Sequence, residues 1–290
     1  MKSMQDGEPA EPQPEDCCGQ GCASCVWDVY REKLIKWQAS RGNISDQCEK
    51  CLSKFHFTPC TLLAITFQTN DTSLYKFSVA ECSCSKWPLL QPGQHLELKA
   101  FYSEEEIIRK YSPINWNGCE FDVIIKRYKT GKMSLFLESV KEGENLDWRG
   151  PYGSVTYKSK DQKLLLMLCA GTGVAPMIPI VRSIVEDPDD ETIVKMLCGS
   201  HTLKTRLLLK ELKELAGFWN FSFTHCVPSL DGSPSWGESV VRSHISEASV
   251  VEALQPIKVN ECKFLICGPE AFNMDMKKVA NKIGVPYYCF

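Results

Sequence analysis

No stretch of this chain approaches the roughly 20 apolar residues that a bilayer-crossing helix requires, and its longer apolar runs, such as Leu164 to Ala170, have the length of strands. The opening residues, Met1-Lys2-Ser3-Met4-Gln5-Asp6, lack the apolar core of a signal peptide and the glycine that N-myristoylation needs. These absences predict an intracellular protein, soluble or peripheral to a membrane. An excess of positive charge is missing too: 33 Lys and Arg against 36 Asp and Glu give a formal net charge of −3, so nothing global draws the chain to nucleic acid. Proline and glycine, at 16 and 18 of 290 residues, are too sparse for disorder throughout, and no solenoid period recurs. The five histidines fall into no pattern with serine and aspartate that would make a hydrolytic nucleophile.

What the chain does have is apolar material. At 43% hydrophobic over 290 residues, it suffices for two domains with buried cores. Sixteen cysteines would suit a disulfide scaffold in a short secreted chain. Here they are unevenly spread along an intracellular-looking sequence, which predicts mostly reduced thiols. Cys169, Cys198 and Cys267 lie in or at the ends of apolar runs, where a thiol packs as a small hydrophobe.

The character of the sequence changes along its length. Glu8 to Asp16 alternates acidic residues with Pro9, Pro12 and Pro14 and reads as a flexible tail. A cysteine-rich module follows, with Cys17, Cys18, Cys22 and Cys25, a helix-like stretch to about Gln38, and Cys48 and Cys51. Thiolates at these spacings suit a thiophilic metal, the alternative being reduced cysteines in a docking segment, and no metal ligand is assigned. Residues 1–55 form this first unit. From 56 to 160 the pattern is short β-rich runs, Leu62–Gln68, Leu74–Ala80, His95–Phe101, Phe121–Tyr128 and one near Val155, with a short helix at Ser134–Val140. Turns such as Pro92-Gly93 and Thr130-Gly131 separate them, as in an antiparallel β-barrel. From 161 to 290 strand and helix alternate: Leu164–Cys169, Met177–Glu186, Thr192–Cys198, Arg206–Ala216, Phe221–Val227, a helix-like span at Ser239–Leu254, Lys263–Cys267 and Phe272–Ile283. Repeated βα units predict a parallel-sheet α/β domain.

Chemistry-bearing residues cluster at the ends of these runs. Parallel sheets bind ligands at the carboxyl ends of their strands, and Gly171-Thr172-Gly173-x-x-Pro176 follows the first of them. Glycines there let a dinucleotide approach the backbone, and the next helix offers unpaired amides. Cys267-Gly268-Pro269 closes another such strand. In the barrel half, Arg109, Tyr111, Ser112 and Pro113 combine a guanidinium fork suited to the FAD pyrophosphate, a phenol to pack on the flavin and a hydroxyl for its edge. Gly131-Lys132-Met133-Ser134 opens the short helix and is a second anion site. Each motif alone has an ordinary alternative, a tight turn or a solvated surface cation.

Their order is what distinguishes them. Arg109-x-Tyr111-Ser112-Pro113, Gly131-Lys132-Met133-Ser134, Arg149-Gly150-Pro151-Tyr152-Gly153, Gly171-Thr172-Gly173-x-x-Pro176-Met177 and Cys267-Gly268-Pro269 together resemble the ferredoxin-reductase superfamily and, within it, the NADH–cytochrome b5 reductases, from about Phe57 to Phe290. That resemblance implies an antiparallel FAD-binding β-barrel followed by a nicotinamide-binding α/β domain. It places FAD contacts on Arg109, Tyr111, Ser112, Pro113, Lys126, Tyr128, Gly131, Lys132, Met133, Ser134 and Thr172. Nicotinamide contacts fall on Gly171, Gly173, Pro176, Cys267, Gly268 and Pro269, with Thr172 and Cys267 nearest the chemistry. It further implies hydride transfer from NADH to FAD and delivery of electrons to a haem protein such as cytochrome b5, for which Lys126, Arg127, Lys129 and Lys132 offer a basic face. Ser112, Ala170, Ala175 and Glu270-Ala271-Phe272 depart from the usual family residues, which leaves a scaffold protein that kept the fold as the alternative. The cysteine-rich segment resembles the oxidoreductase-like N-terminal segment of some eukaryotic reductase-related proteins. The loop after the second strand of the α/β domain, Gly199 to Arg206, carries no carboxylate and two cations, Lys204 and Arg206. It therefore predicts weak exclusion of NADPH, with Asp231 in the loop after the third strand as the alternative source of exclusion.

Overall fold

The computed structural model describes residues 9–13, 26, 29, 30, 33, 37, 52–79, 90–153, 157, 162–234 and 237–290. The cysteines of the N-terminal module and the strand expected near Val155 lie outside them.

Seven strands form the first sheet: β1 (Thr58–Thr69), β2 (Thr72–Val79), β3 (His95–Tyr102), β4 (Glu105–Tyr111), β5 (Pro113–Asn117), β6 (Glu120–Lys126) and β7 (Asn145–Tyr152). Neighbours pair antiparallel in the order β4-β3-β7-β1-β2-β6-β5. The two ends of that order, β4 and β5, are consecutive in the chain and separated only by Ser112, so the sheet must roll until its edges meet. Pro113 has no amide to continue the ladder, which makes this seam a break. Alternating residues of β6, Phe121, Val123 and Ile125, point inward and are buried. Phe121 and Phe77 both meet the Trp148 ring edge-on, at 5.2 and 5.0 Å between centroids. Helix α1 (Lys132–Ser139) plugs one end with Met133 and Leu137. Sequence periodicity does not reveal β5 or β7, because Pro113 and Gly150-Pro151 read as turns when taken alone.

The residues before β1 belong structurally to this barrel. Leu52 is buried in its core and the Ser53 carbonyl accepts from the Gly150 amide at 2.9 Å. Tyr152 Oη donates to the Lys54 carbonyl at 2.6 Å, and both Lys99 Nζ and the Arg149 guanidinium lie 4.5 Å from the centre of the Phe57 ring. The Arg149–Tyr152 motif thus pins the incoming chain. Deleting residues 1–51 should leave barrel stability unchanged, whereas extending the deletion through Phe57 should lower it by about 2–4 kcal/mol, since it removes Leu52 and the Phe57 stack. Urea unfolding of both truncations checks this.

The second sheet is parallel, in the order β11-β10-β9-β8-β12-β13. Its strands are β8 (Leu164–Ala170), β9 (Ile193–Gly199), β10 (Phe221–Cys226), β11 (Val240–Val241), β12 (Cys262–Cys267) and β13 (Tyr287–Cys289). Helices α2 (Met177–Val185), α3 (Leu209–Leu215), α4 (Glu247–Leu254) and α5 (Glu270–Ile283) cover it. β8 is apolar throughout because both its faces are covered: Leu165, Met167 and Cys169 pack with α2, and Leu164, Leu166 and Leu168 pack with α4 and α5. Two helices are shorter than the sequence predicts. The one expected from Arg206 begins at Leu209, since Leu208 sits at φ 54°, in the left-handed region. The one expected over Ser239–Leu254 begins at Glu247 behind a Ser246 cap, because Val240–Val241 pair with His225–Cys226 as an edge strand.

Ile114 and Ile124 of the barrel join Leu165, Ile178 and Val181 in one apolar cluster, and Arg182 Nη1 donates to the Ile114 carbonyl at 3.2 Å. The sheets therefore meet through a shared core. No helix among the described residues is long and apolar enough to cross a membrane.

Candidate functional site

From β8 the chain winds outward to β9 and β10, then returns to place β12 on the other side of β8. A crevice opens where the order reverses, outside the carboxyl ends of β8 and β12. Two turns form its floor. Gly171–Val174 makes a 3₁₀ turn after β8, closed by Ala175 N donating to the Thr172 carbonyl at 3.0 Å. Cys267-Gly268-Pro269 leads from β12 into α5. The two turns touch back to back: a Cβ on Gly173 would lie 2.5 Å from the Cys267 carbonyl carbon and 3.0 Å from the Gly268 nitrogen. A Cβ on Gly268 would lie 2.6 Å from Phe272 Cδ1. Gly171 differs, with φ 55° and nothing within 4 Å of where a Cβ would be, so its backbone is open to a ligand.

The barrel supplies the opposite wall. The seam residues Tyr111 and Ser112, with Lys110 before them and Lys126 and Tyr128 at the end of β6, face the two turns across a cleft of about 580 Å³. Burial pushes the Tyr111 phenol above its ordinary range against the opposing charge of Arg109, so it stays protonated and able to donate. Tyr128 is 60% exposed, an unusual share for a tyrosine beside a cleft, and Lys126 Nζ lies 5.9 Å from its ring centre while pairing with Asp71 at 3.2 Å. Burial, aided by the neighbouring thiols Cys169 and Cys289, pushes the Cys267 thiol up to about 12. The neutral thiol is therefore its form at physiological pH.

Donor chemistry on the two walls suits the two dinucleotides that the sequence implies. The barrel wall gives an exposed aromatic face, two lysines and hydroxyl donors, while α1 starts at Gly131 with no side-chain cap and no acidic residue in its first turn. That leaves its amides available to an anion. The α/β wall gives an open glycine backbone at the switch point. No group of three or more His, Cys, Asp or Glu among the described residues is arranged to hold a metal ion.

Comparison with known proteins agrees. Residues 59–157 match the family described as "Oxidoreductase FAD-binding domain", 167–278 match "Oxidoreductase NAD-binding domain", and 6–46 match "Oxidoreductase-like protein, N-terminal". A Mus musculus protein named "NADH-cytochrome b5 reductase-like" is 36% identical across 96% of this chain and 92% of its own length. A Homo sapiens protein of the same name is 35% identical, across 93% and 89%.

The chain belongs to the cytochrome b5 reductase family.

It is an FAD- and NAD-binding oxidoreductase. The cytochrome b5 reductase domain of Ulva prolifera nitrate reductase shares its fold, with a TM-score of 0.70 at 22% identity over 82% of this chain and 99% of that one.

In this reductase the cleft gathers Tyr111, Ser112, Lys126, Tyr128, Gly171, Thr172, Gly173, Pro176, Cys267, Gly268 and Pro269 of the residues picked from the sequence. Six others stand outside its lining. Arg109 is exposed on β4 with Nη1 donating to the Ile108 carbonyl at 2.8 Å, and Pro113 is buried. Lys132 pairs with Glu105, and the Met133 side chain packs in the barrel core. Ser134 Oγ accepts from the Tyr128 amide at 2.9 Å and sits where a Gly131 Cβ would meet it at 3.1 Å, so Gly131 and Ser134 shape the turn that carries Tyr128. Asp71, Thr72, Lys110, His201, His244, Phe272 and Phe290 also line the cleft. Lys110 was within reach of sequence reasoning, since strand alternation puts it on the face of Ser112. The others come from five separate segments, and nothing local marks them as cleft residues except Phe272, which departs from the family pattern. The departures from the family pattern also lie here: Ala170 and Ala175 line the cleft, and the methyl of Ala170 would stand 3.1 Å from a Gly268 Cβ.

Proposed function

We propose that this reductase takes electrons from NADH into FAD seated on the barrel seam and passes them to a haem protein such as cytochrome b5. One observation carries the reading: the break between β4 and β5 and the switch point between β8 and β12 open into one cleft, so a ligand on either wall faces the other at close range. Bound flavin supplies the exchange between two-electron and one-electron chemistry. The chain's residues hold and orient. Tyr111 and Ser112 present a neutral phenol and a hydroxyl at the seam, Lys110 and Lys126 offset negative charge, and Tyr128 is a platform for a planar ring. Thr172, in the turn after β8, adds a hydroxyl to the cleft lining, and the protonated Cys267 thiol gives a compact, weakly polar surface beside Gly268.

Arg109 and the α1 amides flank the barrel wall and are assigned to the pyrophosphate. Changing Arg109 to Ala should remove charge-assisted bonds of about 1.5–3 kcal/mol, weakening FAD by about ten- to a hundredfold. Dialysis followed by flavin fluorescence measures it, and parental retention would dismiss the assignment. Lys126, Arg127, Lys129 and Lys132 flank Tyr128 in the chain, with Lys126 and Lys132 each paired to a carboxylate, and an acidic haem protein docking there brings its cofactor to the cleft mouth. The deciding experiment is spectroscopic: anaerobic NADH should bleach the flavin bands of the purified chain, and added cytochrome b5 should recolour them as its haem is reduced. Flavin bands that NADH leaves unchanged would sink the reading.

A further inference from the structure

The loop after β9 is where the sequence and the structure part company. Its two cations and missing carboxylate predict only weak exclusion of the 2′-phosphate of NADPH, yet the Arg206 side chain is only 10% exposed. Its Nε donates to the Leu203 carbonyl at 2.6 Å and its Nη1 pairs with Glu238, whose side chain is fully buried. Glu238 belongs to the segment before β11, 32 positions further along the chain. His225 Nε2 approaches the same carboxylate at 3.6 Å, and burial holds this imidazole down to about 4, so at neutral pH it adds no positive charge beside the Arg206–Glu238 pair. The same segment also steadies the backbone of the loop, since Asp231 Oδ1 accepts from the Lys204 amide at 3.2 Å.

The position of this pair matters. Ser200, His201 and Thr205 of the loop line the main cleft, while Arg206 lines a small recess behind it with Gly171, Gly199, Ser200 and Thr205. The guanidinium thus lies directly behind the nucleotide-facing residues and is turned inward. A neutral, buried pair exerts little attraction on a passing phosphate. The same guanidinium without its carboxylate would be a buried, uncompensated cation, a costly state that a dianionic phosphate within reach relieves.

We propose that Glu238 is a specificity-determining residue of the dinucleotide site: its buried carboxylate sequesters Arg206 and so withholds from a 2′-phosphate the one planar, bidentate partner that this loop carries. The assignment rests on the reading that the nicotinamide dinucleotide lies along the carboxyl edge of the second sheet. Specificity is here exerted from a segment remote in sequence, a route by which a loop with no acidic residue can disfavour NADPH.

The test compares kcat/KM for NADH and NADPH at matched ionic strength in the full-length, FAD-loaded chain. Glu238→Gln should raise the NADPH to NADH ratio by about tenfold or more, through a lower KM for NADPH, and adding Arg206→Gln should cancel the gain. Parallel loss with both dinucleotides overturns the proposal and leaves Glu238 a purely structural role. If Glu238→Gln does not fold, the double variant Arg206→Gln/Glu238→Gln, which buries no charge, decides the matter. Its ratio should stay within about threefold of the parent, whereas a tenfold drop in NADPH use would show that Arg206 already meets the phosphate. A parent whose flavin neither dinucleotide reduces would overturn the dinucleotide site itself, and this assignment with it.

Discussion

Replacing Gly173 with alanine should slow flavin reduction by NADH about a hundredfold while leaving FAD bound. The new methyl would lie 2.5 Å from the Cys267 carbonyl carbon and 3.0 Å from the Gly268 nitrogen, both backbone atoms at a strand end that cannot rotate away. The turns after β8 and β12 must then separate, and overpacking of this kind costs about 1–3 kcal/mol. Displacement of reacting groups by about 1 Å is enough for a hundredfold loss. The barrel wall is untouched, so FAD should be retained. Gly171→Ala provides a contrast in fold stability: its methyl meets no protein atom within 4 Å and costs the fold only the strain of φ 55°, about 1–2 kcal/mol, though it enters the space left open to the dinucleotide. Stopped-flow reduction of Gly173→Ala and urea unfolding of both variants check the pair, and a Gly173→Ala enzyme that reduces at the parental rate would show that the close approach of the two turns is dispensable.

Acid should destabilise both halves of the molecule between pH 6.5 and 4. Burial holds His95 in the barrel and His225 in the second sheet down to about 4, each from an ordinary 6.5, with Lys110 adding to the shift of His95. For a histidine whose folded pKa is depressed, the unfolded chain takes up the proton first. The associated stability is full above 6.5 and is lost as pH falls toward 4. At about 1.4 kcal/mol per pH unit, each site forfeits about 2–3 kcal/mol by pH 4.5, a large share of a typical domain's stability. Urea unfolding at pH 7 and 4.5 should show the loss, and His95→Gln should flatten the dependence of the barrel alone. A stability that stays level across this range would contradict the burial of both imidazoles.

Much of the architecture was legible because apolar runs report burial directly. Leu164 to Cys169 has no polar residue since helices cover both its faces, and the βα rhythm after it follows from strands and helices that each have one way to hide an apolar surface. Phe121, Val123 and Ile125 alternate because one face of a barrel strand is inside. The glycine and proline motifs at Gly171, Gly173, Gly268 and Pro269 were readable for the same reason, as positions where backbone must come close to something. Strands β5 and β7 were not, since Pro113 and Gly150-Pro151 act locally as turns and join the sheet only through partners far away in the chain.

What the sequence determined by itself is the order of the motifs, and with it the family, the two sheets and the cofactors they serve, because each motif is a short local pattern whose chemistry travels with it. What only the tertiary structure decided is the state of each charged group. Lys132 reads as a phosphate ligand and is paired with Glu105; Arg206 reads as free and is locked to a carboxylate 32 positions away. A strand or a turn is specified by its immediate neighbours, whereas the availability of a cation depends on which carboxylate the fold brings beside it and on how much water the fold leaves there. Both are properties of packing at long range, which no local pattern carries.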